Sequence, residues 1–368
     1  MKRMVRALGH PERAFASLLI AGTNGKGSVS AYLDAALRAT SLKVGRYTSP
    51  HVIDLRERIT VDGADISRRD LDRLVLEVRR LAEREMRAGR IGQHPNHFEI
   101  LTLVGFLYFR EREVDVAVLE VGLGGRLDAT NVANPLVSAI VSIDFDHEEY
   151  LGRTLAAIPR EKAGVARRGR ALVLGPVATE AREAIGEVAR LRGARLLEAR
   201  ADVRMRRGAQ GLDIRTPTGL YRRLTPLQGA HQQTNLLVAI RALERFAEAG
   251  PRFDLPAAIS AMSRATWPGR LERFAGHPPF LLDGAHNPAG ARALARYLKD
   301  SRTRGVLVFG AMRDKHIEEM AAELFPRFRA IVATRVRMKR AALTPTLAVL
   351  ARRYGVAAAE SPSVGEAL

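Results

Sequence analysis

The chain has no cysteine, which excludes both a disulfide framework and a thiolate metal site. No apolar run approaches the ~20 residues that a membrane helix needs. Met1–His10 also lacks the apolar core of a signal peptide, so a cytoplasmic protein without a membrane partner is expected. Aromatic residues make up only 5% of the chain, and Trp267 is the single tryptophan. There is no helix-turn-helix, no zinc-finger spacing and no aromatic RNA-binding motif. The formal charge of +19 is therefore read as steering of anionic small molecules, not as a nucleic-acid footprint. Lysine is scarce as well: Lys2, Lys26, Lys43, Lys162, Lys299, Lys315 and Lys339 are the only lysines among 59 basic residues. An ordinary surface cation in this chain is written as arginine, so a retained lysine is a candidate for chemistry that a guanidinium cannot do.

What is present is an α/β pattern. A length of 368 residues suggests two domains. Apolar runs alternate with helical periodicity, as in a mostly parallel sheet. Strands are predicted at 18–21, 43–47, 114–121, 136–143 and 171–174, with a helix around 154–167. An arginine- and turn-rich β excursion is predicted over 200–227, and a long amphipathic helix over 234–247. Thr266-Trp267-Pro268-Gly269-Arg270 reads as a linker, because Pro-Gly breaks helix and strand alike. After it the βα pattern restarts, with strands at 280–282, 305–309 and 330–333 and a helix opened by Pro288. The expected architecture is a P-loop-type, mostly parallel sheet domain over 1–266 and a smaller Rossmann-like α/β domain over 267–368.

The most informative stretch is Gly22-Thr23-Asn24-Gly25-Lys26-Gly27-Ser28, set between a strand and a helix. Such a turn points backbone N–H groups and a helix dipole at a phosphate. Lys26 can reach β/γ-phosphates, and Ser28 can place its hydroxyl on Mg²⁺. The spacing departs from the standard phosphate loop, since the first glycine is closer and Gly27 separates the lysine from the serine. Glu120 ends a buried strand ahead of Gly122-Leu123-Gly124-Gly125, at the sheet edge where α/β proteins bind ligands. A carboxylate there can hold Mg²⁺. Asp144-Phe145-Asp146-His147 ends the next strand, and His147 reads equally as a metal ligand or as a hydrogen-bonded structural histidine. Lys162, in Glu161-Lys162-Ala163-Gly164, sits awkwardly as a cation beside metal-binding strands. Either it binds γ-phosphate as a point charge, or CO₂ carbamylates it into a carboxylate-like ligand. In the second domain Asp283 can accept a ribose hydroxyl, His286 can reach a phosphate, and Arg270 can clamp phosphate charge. Gly310–Lys315 is a further strand-to-loop turn of low specificity.

These segments occur together and in order. They run Gly22–Ser28, Tyr47–His51, Glu57-Arg58-Ile59, Leu119–Asn131 (LEVGLGGRLDATN), Asp146-His147, Leu151–Leu155, Glu161–Gly164, Trp267–Arg270 and Asp283–Pro288 (DGAHNP). The chain thereby resembles the folylpolyglutamate synthase/dihydrofolate synthase family, the folate branch of the Mur ligases, over nearly its whole length. The resemblance implies the Mur ligase central and C-terminal domains, with ATP and Mg²⁺ as co-substrate and cofactor. ATP would phosphorylate a carboxylate of dihydropteroate or a folate, and L-glutamate would attack the acyl phosphate to give an amide, ADP and phosphate. Carried over by motif, Thr23, Asn24, Gly25, Lys26, Gly27, Ser28, Asn235, Arg270 and Asp283 would bind ATP. Ser28, Ser49, Glu120, His147 and an N6-carboxylated Lys162 would hold metal. Lys26, Lys162, His147 and His286 would act in catalysis. Asn96, His97, Phe98, Glu99, Leu127, Asp128 and Ala129 would contact the pterin. A monomer is expected. Two departures stand out. The chain stops at Leu368, before a Gly-Ser-Leu-Tyr-like phrase on a terminal strand, so a C-terminal sheet short of one strand is expected. Pro159 also replaces a small helical residue, which predicts a shifted helix start.

Overall fold

The computed structural model describes residues 1–144 and 157–368. It divides into two compact units: residues 1–227 with 232–267, and residues 228–231 with 268–368.

The first unit is built on an eight-stranded sheet. Its strands are β1 (Ala16–Ala21), β2 (Val44–Tyr47), β3 (Ile59–Val61), β4 (Ala64–Asp65), β5 (Val116–Glu120), β6 (Val137–Ile140), β7 (Ala171–Leu174) and β8 (Arg195–Glu198). The order is β4-β3-β2-β5-β1-β6-β7-β8. The six strands from β2 to β8 are parallel, while β3 and β4 add an antiparallel edge. The parallel strands are apolar without interruption because both faces are covered. Successive side chains alternate between two cores. Leu19, Leu119 and Leu172 enter one, and Leu18, Val118 and Val173 enter the other.

The helices are α1 (Lys2–Ala7), α2 (Lys26–Leu37), α3 (Arg68–Arg87), α4 (His97–Glu111), α5 (Ala157–Ala163), α6 (Thr179–Leu191), α7 (His231–Ala249) and α8 (Leu255–Ala261). Helices α1, α3, α4 and α6 cover the first face, and α2, α7 and α8 cover the second. In α3 the buried Leu71, Leu74, Val78 and Leu81 recur at the three- and four-residue spacing of one helical face, and Ser67 caps its start by accepting from the Asp70 amide at 3.0 Å. Pro159 lies within α5.

The predicted excursion over 200–227 is a three-stranded antiparallel sheet of β9 (Arg204–Gly208), β10 (Gly211–Arg215) and β11 (Leu220–Leu224). It is tied to α7 by Glu244, which accepts from the Thr216 hydroxyl at 2.5 Å and the Tyr221 hydroxyl at 3.0 Å and pairs with Arg241 at 2.5 Å. The helix predicted over 234–247 is longer at both ends, and the strand predicted over 114–121 is trimmed to Val116–Glu120.

The second unit holds an antiparallel pair, β12 (Glu272–Phe274) with β13 (Phe280–Leu282), and a parallel sheet of β14 (Val306–Phe309), β15 (Ala330–Ala333) and β16 (Ala357–Glu360). The predicted strand at 280–282 thus pairs with β12, their Phe280 and Phe274 rings stacked at 4.5 Å. Helices α9 (Pro288–Asp300), α10 (Ile317–Leu324) and α11 (Thr344–Arg353) pack on the parallel sheet around Phe325, Ile331 and Leu347.

Candidate functional site

The register sets the site. Ile20 pairs with Glu120, Ala21 with Ile140, and Tyr47 with Leu119. The carboxyl ends of β2, β5, β1 and β6 are therefore level, and the segments that leave them, Thr48–Ser49, Val121–Gly125, Gly22–Ser28 and Val141–Asp144, share one edge. This is the edge at which open α/β sheets bind ligands.

The loop Gly22–Ser28 is stitched to the end of β6. The Thr23 amide donates to the Ser142 carbonyl at 2.9 Å, and the Thr23 hydroxyl exchanges 3.1 Å bonds with the Asp144 backbone. The Asn24 amide donates to Ser142 Oγ at 2.9 Å. Gly25 holds φ at +82° as the N-cap of α2, and a Cβ there would lie 2.5 Å from Asn235 Oδ1. Both facts demand glycine. Gly25 has no side chain with which to cap α2, so the first amides of the helix receive no cap from that position. Lys26 Nζ bridges the loop, donating to the Gly22 carbonyl at 3.0 Å and the Thr23 carbonyl at 3.1 Å. Ser28 Oγ is buried and accepts from Gln232 Nε2 at 3.1 Å, while Gln232 Oε1 accepts from Asn235 Nδ2 at 2.9 Å. A Cβ at Gly27 would meet the Trp267 ring at 2.8 Å, and that ring also receives the Arg46 guanidinium at 5.2 Å.

Glu120 is buried, and its Oε2 accepts from the Ser49 amide at 3.4 Å. Lys162 is buried too, its Nζ donating to the Gly22 carbonyl at 3.1 Å. The lysine is held there by the glycine turn after β5. The Arg126 amide donates to the Glu161 carbonyl, and the Arg126 Nε to Glu161 Oε1, each at 2.9 Å. Gly125 and Gly164 leave room for that approach, since a Cβ on either would sit under 3 Å from opposing backbone. The structure thus brings Ser28, Ser49, Glu120 and Lys162 to the edge where the loop begins. His147 and Asp146 lie outside the described residues. Among the described residues no three His, Cys, Asp or Glu side chains form a metal cluster by themselves.

The two segments assigned to the pterin are partly engaged with the fold. Asn96 caps α4 by accepting from the Glu99 amide at 2.9 Å, and Glu99 accepts from the Asn96 amide at 2.9 Å, a reciprocal capping box. Phe98 packs against Gly122 and Tyr47. His97 keeps much of its surface in solvent, while the desolvation of its inner side, with the neighbouring charges of Arg58 and His51, holds its imidazole below the usual pKa. Asp128 is buried; it accepts from the amides of Gly122 and Leu123 at 3.0 and 2.9 Å and from Thr130. Burial pushes its carboxyl up, against those hydrogen bonds. Leu127 is 78% exposed, and Ala129 is buried.

In the second unit Asp283 accepts from the Leu271 amide at 3.0 Å and the Ala285 amide at 2.9 Å. Arg270 lies against Gly284. The exposed His286 has Nδ1 at 2.9 Å from the Gly284 carbonyl. Asn287 caps α9, accepting from the Gly290 amide at 2.8 Å. Ser142 and Gln232 were not singled out from the sequence. Gln232 was findable, because it and Asn235 stand three residues apart on one helical face.

A mostly parallel sheet with a glycine-rich loop at the end of its central strand, and a second α/β unit after it in the chain, define a protein of the Mur ligase fold. Residues 269–368 match the family described as Mur ligase, glutamate ligase domain. The dihydrofolate synthase/folylpolyglutamate synthase of Bacillus subtilis is 37% identical over 88% of this chain and 77% of its own. A folylpolyglutamate synthase of Mycobacterium tuberculosis, solved with ADP, superposes with a TM-score of 0.91 at 34% identity, covering 100% of this chain and 84% of its own. A bifunctional folylpolyglutamate synthase/dihydrofolate synthase, solved with Mn, AMPPNP and L-glutamate bound, gives 0.85 at 30% identity over 99% and 85%. The chain belongs to the dihydrofolate synthase/folylpolyglutamate synthase family of ATP-dependent ligases.

Proposed function

We propose that this chain joins L-glutamate to a carboxyl group of dihydropteroate or a folate, using ATP and passing through an acyl phosphate. The observation that carries the reading is the uncapped phosphate loop Gly22–Ser28 with buried Glu120 and Lys162 beside it, in a chain of this family. Backbone amides at the start of α2 and the helix dipole hold the nucleotide phosphates, and Lys26 leaves its loop carbonyls to meet their charge. Asn235 stands against Gly25, and in the second unit Arg270, Asp283 and His286 are the residues proposed to bind nucleotide. Ser28, Ser49 and Glu120 are oxygen donors of the kind Mg²⁺ prefers, and His147 belongs to the same set. Bound Mg²⁺ neutralises charge on the transferred phosphoryl group. Asn96–Glu99 and Leu127–Ala129 receive the pterin, with Phe98 as the ring-bearing contact. The protein works as a cytoplasmic monomer without nucleic-acid or membrane partners.

Lys162 carries the finer part of the proposal. Its unprotonated amine adds CO₂ to form a carbamate, releasing one proton, and the new carboxylate joins the metal's surroundings. An ammonium there would oppose the cation. Lys162→Ala should lose ligase activity and regain part of it with added short carboxylic acids, whereas Lys162→Arg should not be rescued. Full activity in Lys162→Arg would reduce the residue to a phosphate clamp.

The function itself is tested by ADP release with ATP, Mg²⁺ and L-glutamate, offering dihydropteroate, tetrahydrofolate and methylene-tetrahydrofolate in turn. Glutamate-dependent release with at least one acceptor is expected. Its absence with all three overturns the reading.

A further inference from the structure

A second concave site lies on the first unit, away from the phosphate loop. It is a cavity of about 810 Å³, a size typical of small-molecule pockets. His10–Arg13 precede β1, Asn131–Asn134 precede β6, Ala166–Arg168 precede β7 and Arg192 precedes β8. Most of the lining therefore comes from the amino ends of four adjacent strands, opposite the edge that carries Gly22–Ser28. Arg126 and Leu127 extend it from the turn after β5.

Its charge is one-sided. Lys2, Arg6, Arg13, Arg167, Arg168 and Arg192 line it, together with Arg126, and among the described residues the only lining carboxylate is Glu12. Glu12 is already engaged through Oε1, at 2.9 Å from His10 Nδ1 and 3.6 Å from Arg13 Nε. Arg126 is paired with Glu161. Lys2, Arg6, Arg167, Arg168 and Arg192 have no acid paired with them among the described residues. Arg167 is half-buried and donates only to neutral oxygens: the Asn131 carbonyl and side chain at 2.7 Å each, and the carbonyls of Ala133, Val165 and Ala166 at 2.9–3.2 Å. Arg192 donates to the Gly164 carbonyl at 2.8 Å. Burial and the like charge of Arg192 together hold the Arg167 pKa below its ordinary value. Lys2, Arg6 and Arg168 make no side-chain hydrogen bond or ion pair among the described residues. Buried or crowded cations are normally paired, and among the described residues no acid is placed to pair with these.

We propose that this pocket binds a small polyanion, a molecule carrying several phosphate or carboxylate groups, between Arg6, Arg168 and the Arg167–Arg192 pair. The site is separate from the nucleotide loop, and Leu127 on its rim is the one lining residue that also belongs to a segment assigned to the pterin. Val5, Val132 and Ala133 give it an apolar wall, so a compact ligand with an organic body fits it better than a bare ion.

The test is calorimetric titration of the full chain held saturated with Mg²⁺ and ADP, so that the phosphate loop is filled. Tripolyphosphate and penta-γ-glutamate are the two probes. One molecule per chain is expected for at least one of them, with affinity falling as salt rises, and the tighter probe assigns the anion as phosphate or carboxylate. The double variant Arg6→Ala/Arg168→Ala should bind that probe roughly tenfold more weakly or worse, since two charge-assisted hydrogen bonds are lost, while its ADP affinity stays unchanged. Both positions are exposed; if alanine lowers the melting temperature, Arg6→Gln/Arg168→Gln keeps the bulk and must show the same loss. The proposal fails if neither probe binds the ADP-loaded protein, if the double variants bind like wild type, or if duplex DNA binds where both probes do not.

Discussion

Two strand-to-helix turns in this molecule look alike in sequence and differ in what they do with a helix N-terminus. Gly22–Ser28 leads from β1 into α2, and Asp283–Pro288 leads from β13 into α9. In the first, the N-cap is Gly25, which has no side chain to offer the helix amides, and the loop is braced from outside by Ser142 and Asp144. In the second, Asn287 supplies the cap, Pro288 removes one amide, and Asp283 takes the Ala285 amide. The first turn leaves donors for an anion, and the second consumes them internally and presents side chains. A glycine-bearing turn ahead of a helix can cradle a phosphate only when the cap is withheld, and Gly22–Ser28 is the turn here that meets that condition.

The largest expected effect tests the open turn. Lys26→Ala removes the only basic side chain within Gly22–Ser28, and kcat should fall roughly 10²–10³-fold, as for loss of a preorganised electrostatic group. Steady-state turnover near wild type would break the contrast at its root. Gly25→Ala comes next. It forces a positive φ on a Cβ and drives that carbon to 2.5 Å from Asn235 Oδ1, so a stability loss of about 1–3 kcal/mol and a roughly ten- to hundredfold activity loss from displaced backbone are expected. Gly25→Asn sharpens the point. Asparagine tolerates positive φ but keeps the clash, so it should do no better than alanine. A near-wild-type Gly25→Asn in denaturation and turnover assays would make backbone strain the whole story.

How much of this was legible from the chain depended on whether a position is dictated by backbone or by context. Gly22, Gly25, Gly125 and Gly164 are dictated by close approach, and the segments around them could be recognised. Lys26 and Lys162 stood out because arginine fills the other cationic roles. The same arginine background hid Arg167 and Arg192, which look like any of the surface guanidiniums until their neighbours are known. Asn96, Glu99 and Asp128 were assigned to the pterin through resemblance, and their capping duty is visible only once α4 and the turn after β5 are placed. Gln232 was masked by its neighbours in His231-Gln232-Gln233-Thr234-Asn235. It is the bridge from Ser28 to Asn235, and Gln232→Ala should cost about 1–3 kcal/mol for the two partners left unpaired, read as a shifted denaturation midpoint. An unchanged midpoint would show that the loop does not lean on α7.

The smallest effect examines the closed turn. Asn287 is buried, and its Oδ1 satisfies the Gly290 amide at 2.8 Å. Replacing it with alanine leaves that amide without its cap and should cost about 1 kcal/mol, with Asn287→Ser or Asn287→Asp recovering most of the loss because either oxygen can accept the same bond. Since α9 packs on the smaller core around Phe325 and Ile331, the loss should appear in chemical denaturation of the full chain. Nucleotide affinity should barely move, because the amides uncovered at this helix are not the ones assigned to phosphate. ADP titration of Asn287→Ala decides it. If affinity changes as much as in Lys26→Ala, the second turn is itself a phosphate cradle, and withholding the cap is not what separates the two.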